Sequence, residues 1–269
     1  MANIDIIFVS RIRCCLFFMD CILQSLISYY GQTGLPILAR RWLDSYCACQ
    51  TPEETLTHFA AVFKEDPSLF GIDALNLKDV QHDLLARYYH NEAYVKSVFI
   101  RKMLCSRNNV VGYEYPIGRN RLDLWEISQK ASVAYEIKTA YDTLGRLKAQ
   151  VNNYLRLFEN VYVICDLTKV ASVMDIVPPE VGIYCYDDAR KMVKFSLIRP
   201  ALMSKKISPL MQRDLFPSRL SACSEADVNE QFKTLLSTDY FKHWDFLKKH
   251  MADLPLMDFQ VSYRTCRLR

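Results

Sequence analysis

The chain changes its hydrophobic period along its length. Up to residue 89 the apolar side chains recur three and four apart, as in Leu16, Met19, Leu23, Leu26, Ile27 and Tyr30, and again in Leu77, Val80, Leu84 and Tyr88. That is the spacing of helices with one buried face. Thr51-Pro52-Glu53-Glu54 predicts a helix start, because a threonine and the third residue beyond it can satisfy each other's end amides and proline lacks the amide left unpaired there anyway. Residues 91–105 predict a further helix with Val95, Val98, Phe99, the stem of Lys102 and Met103 facing a core. The pattern then turns strand-like. Residues 110–115, 120–127 and 132–138 are rich in β-branched and aromatic side chains, and the polar Ser128-Gln129-Lys130 separates the last two as a turn.

Residues 144–158 return to helical spacing. Val161–Asp166 and Gly182–Asp187 are short apolar runs of the kind buried on both sheet faces, and Lys194–Ile198 predicts an edge strand before Pro200. Residues 201–269 become helical again, with Ser224–Asp227 opening one helix and Tyr240–Met251 forming another. The expected architecture is therefore α/β, with an N-terminal helical region over 1–89, a core over 90–200 and a C-terminal helical region over 201–269.

The strand region carries the chemistry. Glu136 stands two places before Lys138, Asp123 lies upstream in Asn120-Arg121-Leu122-Asp123-Leu124-Trp125, and Gln150-Val151-Asn152-Asn153-Tyr154 follows. A hairpin turning between Gln129 and Lys130 sets Asp123 opposite Glu136 and Arg121 opposite Lys138. The two-residue strand period keeps Glu136 and Lys138 on one face. Opposed like charges destabilise a sheet unless something neutralises them. A hard divalent cation does so, and it keeps waters that leave room for a phosphate. Lys138, close to two carboxylates, should remain protonated, as a positioner of attacking water. Gln150 and Tyr154 stack on one helix face, at the site's rim, where both can bond the site or a nucleic-acid backbone and Tyr154 can stack on a base. Each piece alone reads as a solvated surface; the order and apolar setting of all three point to a site.

Asp123, Glu136-Ile137-Lys138 and Gln150-x-x-x-Tyr154 resemble the motifs of the PD-(D/E)XK nuclease superfamily, the last those of its RecB-like branch. The stretch Tyr135–Gln150 is similar to a group of bacterial proteins placed in that superfamily. The resemblance covers roughly residues 90–198; no proline precedes Asp123. It implies a restriction-endonuclease-like α-β-β-β-α-β core with a mixed sheet, dependence on Mg²⁺ or Mn²⁺, and DNA as the usual substrate. Its first-helix acid falls by position on Glu92, which also suits the helix dipole in a first turn; Glu114 is the competitor for completing the metal site with Asp123 and Glu136. Asp142 is expected to cap the 144–158 helix. Arg121 and Arg146 either meet phosphates or neutralise the acidic cluster.

Bulk properties leave this reading open. A net charge of +4 permits nucleic-acid binding without demanding it. Ten cysteines and five histidines show no zinc spacing, and scattered reduced thiols suit a cytoplasmic protein. Arg11, Arg13 and Asp20 interrupt the apolar stretch at 4–30, so neither a membrane span nor a clean leader is expected; Met1 and Met19 both stand as starts. Lys248, Lys249, His250, Arg264, Arg267 and Arg269 form a basic end, solvated or able to follow a phosphate backbone. No phosphate-binding glycine-lysine loop occurs, so no nucleotide cofactor is expected. The expected function is a metal-dependent deoxyribonuclease, an endonuclease or exonuclease in DNA repair or defence against foreign DNA, with DNA as partner and room for a protein partner or a homodimer. The alternative is a catalytically silent nucleic-acid-binding or partner-binding module on the same fold.

Overall fold

The computed structural model describes residues 2–45, 50–118, 120–187, 193–251, 254 and 259, with side chains from Met19 onward. Arg264, Arg267 and Arg269, Cys47 and Cys49, and the side chains of Arg11, Arg13 and Leu16 lie outside the described residues. The chain divides into two compact units, Met1–His90 and Asn91–Arg269.

The first unit is helical: α1 (Ala2–Asp44), α2 (Pro52–Phe63) and α3 (Leu77–Tyr88). Gly31 breaks α1, with φ 76 and ψ 162, a conformation that glycine adopts without a side-chain penalty. The expected capping box at Thr51 is present: its hydroxyl accepts from the Glu54 amide at 3.2 Å, and its own amide donates to Glu54 Oε2 at 2.8 Å. Met19, Leu23, Leu26, Leu77, Val80 and Leu84 are buried as the spacing predicts. The same unit holds an aromatic cluster in which Trp42 meets Phe59 edge-on at 5.2 Å and Phe59 stacks on Phe63 at 4.1 Å. Tyr88 is only half-buried; Tyr89 takes the inner position.

The second unit is built on α4 (Glu92–Phe99), β1 (Asn109–Ile117), β2 (Asn120–Ser128), β3 (Ser132–Lys138), α5 (Leu147–Tyr154), β4 (Asn160–Asp166), α6 (Val170–Ile176), β5 (Gly182–Asp187) and β6 (Lys194–Arg199). Then follow α7 (Pro209–Leu215), α8 (Pro217–Leu220) and α9 (Val228–His250). The six strands form one mixed sheet in chain order. β1, β2 and β3 are an antiparallel meander, β3, β4 and β5 are parallel, and β6 returns antiparallel. The parallel steps need crossovers, and α5 and α6 supply them. From α4 to β4 the elements run in the expected α-β-β-β-α-β order.

Three boundaries differ from the sequence reading. The helix at 91–105 is α-helical only to Phe99 and continues as a π-turn over Ile100–Leu104. Val95 and Phe99 are buried as expected and Val98 is half-buried. Beyond them the wider turn rotates the register, so Ile100 and Leu104 are buried while Met103 is half-buried and Lys102 is exposed. The helix at 144–158 is shorter, and Asp142 does not cap it: its Oδ2 accepts from the Thr139 amide at 2.7 Å and the Thr139 hydroxyl at 2.8 Å, closing the turn after β3. The two helices expected near the C-terminus are one, α9. Its buried residues Val228, Phe232, Leu236, Tyr240, Trp244 and Leu247 hold helical spacing without interruption. The helix packs against β1 and β2, with Tyr240 on Tyr115 and Trp125 and Phe232 on Phe158 and Phe216. Glu159 fastens this helix to the start of β3, accepting from the Ser132 amide at 2.7 Å and from Asn229 Nδ2 at 2.9 Å.

The basic end has local partners. Lys248 lies over the Trp244 ring at 5.7 Å and Lys249 pairs with Asp245 at 2.7 Å. Among the described residues no helix is long and apolar enough to cross a membrane.

Candidate active site

The β2–β3 hairpin has the predicted register. Leu124 pairs with Tyr135, Trp125 with Ala134 and Ile127 with Ser132, and the Ser128 amide closes the turn on the Ala131 carbonyl at 3.0 Å. Continuing that register by one residue sets Asp123 against Glu136 on the face shared by Trp125 and Ala134. The strands are also tied there by a side chain: Asp123 Oδ2 accepts from the Ile137 amide at 2.7 Å. Asp123 is 5% exposed and Glu136 1%, so the two carboxylates are withdrawn from bulk water.

Glu136 is the hub. Its Oε1 accepts from Lys138 Nζ at 2.6 Å and from Gln150 Nε2 at 2.5 Å, and its Oε2 from the Tyr154 hydroxyl at 2.9 Å. The helix α5 therefore lays its Gln150–Tyr154 face onto this site. Two expectations change. Gln150 is buried rather than at a rim, and Tyr154 is fully buried, with its hydroxyl also 3.2 Å from the Arg121 carbonyl. No base can stack on a ring so enclosed; Tyr154 holds Glu136 in place.

Glu92 and Glu114 converge on a residue that the sequence reading passed over. Lys96 Nζ, fully buried, bonds Glu92 Oε1 at 2.9 Å and also Glu114 Oε1. Glu114 further pairs with Arg121, whose side chain is largely exposed. Arg121 thus neutralises the acidic cluster, whereas Arg146 stands exposed at the start of α5. Glu114 has φ 55, a left-handed conformation costly for a side chain of its kind and persisting only when its surroundings impose it. The signal for Lys96 was a lysine four residues after Glu92, between apolar neighbours at core spacing.

The electrostatics follow from burial. Burial, and then the Glu136 and Glu92 charges, hold the Asp123 carboxyl well above the usual carboxylate range. Burial also raises Glu136, a rise that the Lys138 charge opposes without cancelling. Burial raises Glu92 as well, but the charge and hydrogen bond of Lys96, with the Arg121 charge and a hydrogen bond with Glu114, together leave it below the ordinary glutamate value. Burial lowers Lys138, but Glu136 and Asp123 overcome this and leave it above the ordinary lysine value, so it is an ammonium at neutral pH.

This donor set can be tested against a hard divalent cation. Asp123 and Glu136 are adjacent hard-oxygen donors whose mutual repulsion is not fully compensated by protein cations, and Gln150 Oε1 beside them is buried without a hydrogen-bond partner. Among the described residues no group of three or more His, Cys, Asp or Glu side chains is assembled for a metal. Mg²⁺ often takes only one or two carboxylates and keeps its waters, so the pair fits it. Glu92 is bonded by Lys96 at 2.9 Å, and its charge reaches both Asp123 and Glu136.

The burial of Gln150 alters what its removal should do. Gln150→Ala should lower any activity of the site and also cost about 1–3 kcal/mol, the usual penalty for depriving a buried charged acceptor of a donor. Thermal melts compared with specific activity check this; an unchanged melting temperature would mean that the Gln150–Glu136 bond carries no stability.

Residues 86–252, more than half of the chain, match the model of a family described as bacteriophage P4 protein cII. No curated protein matches the chain. Among solved structures, SPO1766, a protein of unknown function from Silicibacter pomeroyi, is similar at 16% identity and a TM-score of 0.38, over 58% of this chain and 88% of that one. SfsA from Pyrococcus furiosus in complex with Ca²⁺ is similar at 11% identity and a TM-score of 0.23, over 49% of this chain and 65% of that one.

Proposed function

We propose that this chain, which belongs to the bacteriophage P4 protein cII family, is a divalent-cation-dependent nuclease hydrolysing phosphodiester bonds of DNA. The observation that carries the reading is Asp123 and Glu136 brought onto one sheet face, buried, with Lys138 donating to Glu136 at 2.6 Å. A solvated sheet face would leave these side chains in water, whereas here the fold withdraws them and builds a helix over them. The motifs that resemble PD-(D/E)XK nucleases supply the order of these residues.

Asp123 and Glu136 would hold Mg²⁺ or Mn²⁺. When bound, such an ion supplies Lewis-acid polarisation of the phosphate and a bound water of lowered pKa. The protein's own groups do the rest. Lys138, kept charged by the two carboxylates, can orient the attacking water and stabilise charge developing on the phosphate. Gln150 and Tyr154 fix the Glu136 carboxylate by one bond to each oxygen, which preorganises the site before substrate arrives. Exposed Arg146 is within the same unit as a cation for the phosphate backbone, Arg121 being paired with Glu114.

Cation binding is the direct test. At a hundredfold excess over Kd, Mg²⁺ or Mn²⁺ should stabilise the protein by about 2.7 kcal/mol, raising the melting temperature by roughly 5–10 °C for a unit of this size. Asp123→Asn should abolish that shift together with cleavage of linear, circular and single-stranded DNA, and EDTA should do the same to the wild type. A shift that survives in Asp123→Asn would place the cation elsewhere. Wild-type protein that binds DNA but cleaves none of these forms with either metal would establish the silent binding module instead.

A further inference from the structure

We propose that Lys96 is the site's built-in second cation: its ammonium holds Glu92 and Glu114, leaving Asp123 and Glu136 to take a single divalent ion. This inference rests on the metal-dependent reading above and sets the cation stoichiometry of the same site. Four carboxylates gather here, Glu92, Glu114, Asp123 and Glu136, against three cations, Lys96, Lys138 and Arg121. Lys138 serves Glu136, and Arg121 reaches Glu114 from the solvent side. Only Lys96 is wholly enclosed: its side chain has no exposed surface, and it bridges Glu92 on its own helix to Glu114 on β1.

An enclosed ammonium is retained only where it is paired and hydrogen-bonded, so expelling Lys96 to admit a metal ion between these two glutamates would be costly. Glu114 supports the same conclusion from its backbone. Its left-handed φ of 55 is unfavourable for a non-glycine residue, and the pairs with Lys96 and Arg121 are the interactions that hold its side chain. The position is thus built around the lysine. Lys96 is a positioning residue: it acts through Glu92 and Glu114, and its charge also reaches Asp123.

The test counts bound Mn²⁺ on the full chain by titration calorimetry and by electron paramagnetic resonance. Wild type should bind one ion. Lys96→Met, which leaves Glu92 and Glu114 uncompensated, should bind one more than wild type and melt at a temperature that now depends on that second ion. Lys96→Arg should restore the wild-type count. A Lys96→Met protein with the wild-type count overturns the inference. Should Lys96→Met not fold, Glu92→Gln decides: an Mn²⁺ affinity within about threefold of wild type supports the assignment, and a loss of tenfold or more makes Glu92 a ligand and overturns it. Wild type binding no Mn²⁺ would overturn the metal-dependent reading and this inference with it, whereas wild type and Lys96→Met both binding one ion would overturn this inference alone.

Discussion

Lys138→Ala should slow DNA cleavage by about a hundredfold or more, the scale of deleting one preorganised electrostatic group, equivalent to roughly 2.7 kcal/mol of transition-state stabilisation. The side chain is suited to that role because Glu136 and Asp123 keep it charged, and because it sits 2.6 Å from Glu136 Oε1, beside the oxygens that would hold the cation. The substitution removes no carboxylate, so the Mn²⁺-induced thermal shift should persist in the variant. DNA affinity should change little, because phosphate contacts spread over many cations dominate it. Loss of cleavage with cation binding and DNA binding retained is the expected pattern. A variant that cleaves at a rate within a few-fold of wild type would deny Lys138 any part in the chemistry.

The largest expected effect on stability lies two residues from Asp123. Trp125 is fully buried, meeting Tyr240 of α9 edge-on at 4.9 Å and Tyr115 of β1 at 6.4 Å. Its indole lies over the backbone of Gly112, its partner on β1; a Cβ added at Gly112 would come 2.3 Å from Trp125 Cζ2. The glycine is needed for that close approach. Trp125→Ala should therefore cost about 3–5 kcal/mol, transfer and cavity terms together, and lower the melting temperature by roughly 10 °C or more. Gly112→Ala should destabilise by about 1–3 kcal/mol through overpacking of the same contact. Thermal or denaturant melts measure both. A Trp125→Ala loss below about 1 kcal/mol would mean that α9 and β2 relax into the space, and that the indole does not anchor the strand carrying Asp123.

How much of this was legible beforehand depended on the range of the interactions. The β2–β3 hairpin could be read residue by residue, because turn parity fixes register and register fixes which side chains share a face. The Thr51 capping box was legible for the same reason, its partners lying three residues apart. In the helix at 91–105 the core face is legible as far as Phe99, with Val95 and Phe99 buried, and is lost beyond it, since nothing local marks the π-turn at Ile100–Leu104. Asp142 shows the limit of a local rule: a good capping residue was used instead to close a turn on Thr139.

The sequence by itself determined the six strands, the α-β-β-β-α-β order of the core and the pairing of Asp123 with Glu136, because these follow from periodicity and turn length over a few residues. Tertiary structure alone decided what surrounds that pair. It enclosed Tyr154 and Gln150 against Glu136, and it brought Lys96 together with Glu114, eighteen residues away in sequence and held in a left-handed conformation. It also laid α9 against Trp125, more than a hundred residues distant. Such contacts depend on which apolar faces bury one another and on which charges must then be compensated out of water, and a one-dimensional pattern carries neither quantity.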